Sequence, residues 1–390
     1  MKNSGLKAII QRSVLQIVRR PIYWAGFFVL PLFCFFLLAG LMENGLPIKV
    51  PAAIVDRDGT ALSREISQNL AGMQMVEYAE SCESFTEARH LLQEGKIYGF
   101  FMIPEDFQAE LLSGNGPAIT FYTNMTYFVP ASLLFKTFKT TALFTKAGVA
   151  LSVLDAVGAE SAIASPTALL QPVNITARGL GNPGLNYAIY LCNSFIPCCL
   201  QLMIMLMTCF SLGQEVKYHT SPQLMQMAGG SIVKALFGKL LPQTVIWIVM
   251  VGFMTSWLYG WNSDPMNGSW WWFGLSQVMF VLAAQSFAVF LYGVLPNLRL
   301  SLSICALLGI LSFSIAAFSF PVESMYGAVS IFSWIMPIRY NFLIYIDQAL
   351  NGIPVYYSRI WFVAYLVYFI LPFTVLWHIK KAFVKPVYAP

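Results

Sequence analysis

Six uncharged, largely apolar stretches, each long enough to cross a bilayer, constrain this chain more than any other feature. They run Pro21 to Met42, Gly179 to Gln214, Leu240 to Ser263, Pro265 to Leu298, Leu300 to Val322 and Ile360 to Ile379, against about 20 apolar residues needed for a helical span. After the first, residues 43 to 180 interrupt the series and hold most of the acids. A chain that is 57% hydrophobic and 11% charged, with mean hydropathy +0.65, is too apolar to cover a soluble surface. The bilayer is its solvent. A cleaved leader is not expected, because the first apolar run follows Arg19, Arg20 and Pro21 and lacks a small-residue cleavage site.

Basic residues near span ends set orientation. Lys2, Lys7, Arg12, Arg19 and Arg20 precede the first span. Lys217, Lys234 and Lys239 follow the second, Arg299 separates the fourth and fifth, and Lys380, Lys381 and Lys385 close the chain. Six spans put all of these on one side, the cytoplasm, with both termini. Glu215 is the one acid among them; the others fall in the opposite segments. The fold class expected is a polytopic α-helical membrane protein: six transmembrane helices with a small mixed α/β extracytoplasmic domain inserted between spans one and two. Its parts are a cytoplasmic amphipathic helix (1–20), transmembrane helix 1 (21–42), the outer domain with a long return helix (43–180), and transmembrane helices 2–6 (181–390).

In residues 4 to 20, Leu6, Ile9, Ile10, Ser13 and Ile17 share one helical face and the basic residues lie mostly off it, as in a helix lying at a membrane interface. The insert alternates strand-like and helix-like patterns. Strands are expected at Ile48–Val55, Met73–Tyr78, Ile97–Ile103 and Ile119–Tyr122. Helices are expected at Thr60–Leu70, at Ser84–Glu94 with a capping Ser and Glu87 three residues on, after Pro104, and from Val129 to Ala159. Trp270, Trp271 and Trp272 read as an interfacial belt. Phe320 to Arg359 is too apolar for a free loop and too broken by Pro, Gly and charge for a span. Two short pieces dipping into the outer leaflet, or a hairpin packed on the bundle, fit it, provided protein or a wet cavity shelters the broken backbone.

Several chemistries lack their residues. No GxxxxGK[ST] occurs, and GGSIVKALFGKL has the wrong spacing, so ATP is not bound by a P-loop in this chain. His90, His219 and His378 are scattered, which indicates neither a zinc cluster nor a triad. All cysteines but Cys82 sit in apolar spans, so no disulfide framework is expected; adjacent Cys198 and Cys199 point about 100° apart on a helix and read as packing. Asn124, Asn174 and Asn267 open glycan-acceptor triplets, a pattern frequent by chance. The spans lack the buried acid and histidine chain of proton-driven carriers. Nothing points to nucleic acid.

Three strings carry a resemblance. Glu215 and the polar run ending FGKLLPQ (Phe237–Gln243), the string FSFPVESMYGAVSIFSWIMPIRYNFLIYIDQALNG (Phe318–Gly352), and IYGFFMIPEDFQAELLSG in the insert are together similar to permease subunits of type-2 ABC exporters, the branch with a large outer domain after the first span. The family usually follows its acid with a Glu-x-Gly-Thr run; here His219 replaces the Gly. The resemblance implies a multi-pass protein of the bacterial inner membrane, paired with a second permease copy or sister permease and with a separate ABC ATPase that carries the ATP and Mg. No cofactor is expected in this chain and no catalytic or metal-binding residue. Within a coupling segment, residues 213–239, the residues implied to receive the ATPase's movement are Glu215, Lys217, His219 and Lys239. The outer hairpin, residues 320–359, supplies a gate or exit through Pro321, Glu323, Met325, Pro337, Arg339 and Asp347, whose charges either pair with one another or snorkel. The Met- and Phe-rich spans suit a small amphiphilic or drug-like substrate, and the outer domain is placed to meet a periplasmic adaptor. A membrane-anchored receptor or scaffold whose outer domain binds a partner is the alternative. An intramembrane enzyme lacks a catalytic constellation.

Overall fold

The computed structural model describes residues 5–42, 49–73, 75–112, 118–124, 129–140, 186–318 and 320–387. The chain divides into two compact units, Met1–Gly45 with Arg178–Pro390, and Leu46–Ala177.

The first unit opens with α1 (Leu6–Arg19), whose Ile9, Ser13 and Ile17 are buried. Arg20 is extended, and Pro21 starts α2 (Pro21–Leu41), the first membrane-length helix. Pro is favoured at such a first position because its missing N–H costs nothing there.

The second unit carries a four-stranded sheet. Its elements are β1 (Val50–Asp56), α3 (Ala61–Ala71), β2 (Val76–Cys82), α4 (Phe85–Gln93), β3 (Gly99–Ile103), α5 (Phe107–Leu112), β4 (Thr120–Thr123) and α6 (129–140). Strand order is β2-β1-β3-β4, parallel except for antiparallel β3/β4. Parallel crossovers are right-handed, so moving one way across β1 and then back puts α3 and α4 on opposite faces. Two separate cores result: Ile54, Ile66, Leu70, Phe101 and Phe138 on one face, and Ala53, Val55, Ala88, Leu91 and Phe100 on the other. Thr60 and Ser84 cap α3 and α4 by accepting from Ser63 N and Glu87 N, each at 3.2 Å. β2 begins and ends later than the expected Met73–Tyr78. It is an edge strand, and Cys82 anchors its end in the core. The expected continuation of α6 to Ala159, and the triplets at Asn124 and Asn174, lie wholly or partly outside the described residues.

The remaining elements complete the first unit: α7 (Ala188–Lys217), α8 (Ser221–Met227), α9 (Ile232–Trp261), α10 (Trp270–Val294), α11 (Leu298–Ile315), α12 (Gly327–Ile335), α13 (Pro337–Leu350) and α14 (Val355–Val384). With α2, five of these, α7, α9, α10, α11 and α14, make six helices long and apolar enough to cross a membrane. Their bounds correct those expected from hydropathy. α9 starts at Ile232 rather than Leu240, and α7 runs on through Glu215 to Lys217, because backbone hydrogen bonding does not stop at a charge. Ser231 caps α9 by accepting from Lys234 N at 3.5 Å. α10 starts at Trp270 rather than Pro265, α11 ends at Ile315 rather than Val322, and α14 extends over Val355–Val384 rather than Ile360–Ile379.

α12 and α13 meet at 81°, two short apolar helices in place of a span. The break falls at Met336-Pro337, and the amide N–H of Ile338 that it frees donates to Gln201 Oε1 on α7 at 2.7 Å. Gln201 Nε2 in turn donates to Ser312 Oγ on α11 at 3.2 Å. A buried side chain thus replaces the missing helical acceptor, the condition for broken backbone at membrane depth. Between α7 and α11 the sulfurs of Cys209 and Cys305, both fully buried, lie 3.3 Å apart.

At the end of the bundle opposite the termini, the loop before α10 is fastened to α13. Asn267 N donates to Ala349 O at 2.9 Å and Asn267 Nδ2 to Leu350 O at 2.7 Å. The Asn267 amide of the glycan-like triplet is therefore committed to the fold. Gly268 allows this approach, since a Cβ there would sit 2.2 Å from Gln348 O, a backbone atom that cannot swing aside. Gly268→Ala is expected to destabilise by about 1–3 kcal/mol through overpacking, seen as a lower apparent unfolding temperature in detergent.

Candidate functional site

At the end that carries both termini, the last turn of α7, the first turns of α9 and the middle of α1 converge on one carboxylate. Glu215 is 2% exposed. Its Oε2 accepts from Arg12 Nη2 at 2.7 Å and Thr220 Oγ1 at 2.5 Å. Its Oε1 accepts from Lys239 Nζ at 2.5 Å and Gln16 Nε2 at 3.2 Å. Lys239 is equally buried and also donates to Gln16 Oε1 at 2.5 Å. Beside them Arg20 donates to Gln214 Oε1 and stacks its guanidinium 5.1 Å from the Tyr218 ring centroid.

Local sequence explains the convergence. Arg12 and Gln16 are one turn apart on α1 and flank its buried stripe, so seating Ile9, Ser13 and Ile17 carries both to Glu215. That seating requires Gly238: a Cβ there would lie 2.8 Å from Ile9 Cγ2. The neighbouring Lys239 then faces inward, and its buried ammonium is tolerated because the carboxylate is within hydrogen-bonding reach.

α7 ends beside the network in a Schellman turn. Thr220 N donates to Glu215 O at 2.9 Å and His219 N to Val216 O at 3.1 Å, the two bonds that define it. The residue between the helix cap and Thr220 must be left-handed, and His219 takes φ 53. Glycine is the usual occupant, but histidine is among the residues enriched at positive φ. The departure from the Gly of the expected run thus preserves the turn and adds an exposed imidazole.

Of the four expected coupling residues, the structure brings Glu215 and Lys239 together as a buried ion pair and leaves Lys217 and His219 exposed on the turn. The expected polar segment 213–239 is chiefly the ends of α7 and α9 with α8 between them. Arg12, Gln16 and Thr220 were not anticipated. The basic residues of α1 are expected mostly off its apolar face, whereas Arg12 turns to the buried carboxylate. No sequence signal separates it from the neighbouring basic residues; only the stripe's contact with Gly238 does.

In the bent pair Pro337 and Arg339 are buried; ahead of it Met325 is half-buried and Pro321 and Glu323 are exposed. Of the two alternatives for Glu323, Arg339 and Asp347, pairing with one another is not among the ion pairs of the described residues. Arg339 instead lies 4.0 Å from the Trp334 ring centroid, a cation–π contact. Asp347 accepts from Ser358 Oγ at 3.0 Å and Trp361 Nε1 at 3.1 Å on α14. Two neutral donors thus meet Asp347 and an indole face meets Arg339, while Glu323 is exposed.

Lys239→Met strands Glu215 without its nearest cation and is expected to destabilise by about 3–5 kcal/mol. The double variant Glu215→Gln/Lys239→Met restores a substantial part, because Arg12 retains access to solvent. A double-mutant cycle on apparent unfolding temperatures checks both statements.

No curated protein matches the chain. Residues 21–377, from the start of α2 to the later turns of α14, match the family described as ABC-2 family transporter protein. Taken with the six membrane-length helices and their α/β insert, this match shows that the chain belongs to the ABC-2 transporter family, as the membrane permease subunit of an ABC transporter whose ATPase is a separate partner chain.

Proposed function

We propose that this permease exports a small amphiphilic or drug-like compound from the cytoplasm or inner leaflet of a bacterial inner membrane, with both termini in the cytoplasm. The observation that carries this reading is the Arg12–Glu215–Lys239 network. It joins α1, α7 and α9 into one block at the termini end, so that a push on the adjoining turn moves two spans and the interfacial helix together.

In this reading the ATPase docks against Lys217, His219 and α8. A basic groove of about 430 Å³ beside them, lined by Arg12, Arg19, Arg20 and Met227, suits acidic side chains of that partner. A second permease, identical or sister, completes the pathway, and the bent α12–α13 pair forms its outer gate. Glu323 stands exposed at the entrance to that pair and Asp347 ties its end to α14. An apolar groove of about 280 Å³ among α9, α10 and α14, lined by Leu236, Phe237, Leu240, Leu282, Val289 and Phe373, favours an apolar substrate body. A periplasmic adaptor is the partner proposed for the α/β insert.

Purification from native membranes in mild detergent is expected to bring down a stoichiometric P-loop ATPase with vanadate-sensitive activity. A stable complex without one would sink this reading. Within the complex, Lys217→Glu combined with His219→Gly keeps the turn geometry while reversing one charge and removing the imidazole, and is expected to lower substrate-stimulated ATPase activity several-fold with membrane insertion intact. Glu323→Ala is expected to impair export; normal export and normal resistance would remove the gate assignment.

A further inference from the structure

At the end opposite the termini, a second cavity has a different chemistry. It measures about 310 Å³ and is bounded by the end of α2 (Phe36, Gly40), Asn186 just before α7, Ala188 at its start, the last turn of α9 (Trp257, Trp261) and Asp264 of the following loop. This volume is within the range of small-molecule sites.

The walls are aromatic. Trp257 and Trp261 stack with ring centroids 5.5 Å apart, and Phe36 meets Trp257 edge-on at 5.5 Å. Trp261 is 77% exposed, so the indole surface is reachable. The floor is anionic. Asp264 is partly buried and accepts one side-chain hydrogen bond, from Asn193 Nδ2 at 2.6 Å. Among the described residues no lysine, arginine or histidine forms an ion pair with it. Burial pushes its carboxyl above the usual carboxylate range, and the Asn193 hydrogen bond only partly opposes this. The preceding Ser263 is left-handed at φ 55, the turn that folds Asp264 back against α7.

A carboxylate taken partly out of water with no cation among the described residues is costly, and indole faces attract cations rather than anions. Together these walls select one class of ligand. We propose that this cavity is an ammonium-binding site, in which a ligand's cationic nitrogen sits between the exposed Trp261 indole, backed by Trp257, and the Asp264 carboxylate. A lipid headgroup amine and a soluble organic ammonium compound share that chemistry. The site is separate from the Arg12–Glu215–Lys239 network and independent of the direction of transport.

The test is equilibrium binding of radiolabelled benzyltrimethylammonium to the full chain, with its ATPase, in maltoside micelles. Saturable binding is expected. Asp264→Asn should weaken it about tenfold or more, since the amide oxygen keeps the Asn193 hydrogen bond while the charge is lost. Trp261→Leu, which removes an exposed ring and leaves the core intact, should weaken it as well. Absence of saturable binding to the unaltered protein, or equal affinity in Asp264→Asn, would overturn the proposal. Competition by added phosphatidylethanolamine assigns the site to a lipid amine. Undiminished binding in its presence assigns the site to a soluble ammonium compound, and binding of the cation supports the site in both cases.

Discussion

A carboxylate buried at a helix end beside a bilayer must be compensated from whatever lies within reach, and Glu215 sets that requirement here. It draws Lys239 from α9, Arg12 and Gln16 from α1 and Thr220 from its own following turn. Three elements distant in sequence are thereby fixed against one another by a group that no single one of them could bury alone. Removing one partner leaves the others desolvated and mismatched, which is why such a cluster behaves as a unit. The apolar stripe of α1 supplies the packing, and the ions fix where along the stripe it seats.

Much of this architecture was legible in the sequence. Spans of a membrane protein announce themselves because lipid admits only apolar side chains around a satisfied backbone. The alternation of the α/β insert follows equally general rules of period and capping. Helix bounds were less legible. Hydropathy stops at Lys239 and Gln214, while hydrogen bonding carries α9 back to Ile232 and α7 on to Lys217. A charge at a span end looks like a loop until its partner is known.

The site was half legible for the same reason. Glu215 and Lys239 stood out by local resemblance, but Arg12 is one of several basic residues near the first span, and pattern alone cannot say which one a distant acid will claim. The hairpin charges show the converse. Glu323, Arg339 and Asp347 invited pairing with one another, whereas indole faces and hydroxyls answer two of them separately. His219 is more instructive. As a string it looked like a departure from the family's glycine, but its backbone does what the glycine does. Conformation was kept while surface chemistry changed.

The two sulfurs in contact between α7 and α11 bear on how this bundle can move. Cys209 and Cys305 touch at 3.3 Å and neither has exposed surface. Sliding either helix by even a fraction of a turn would replace that contact with a void or a collision, because packed interiors offer little free volume. Close packing at this point opposes sliding of one helix along the other. Any rearrangement that opens a passage is then easier between other pairs of helices than along this one.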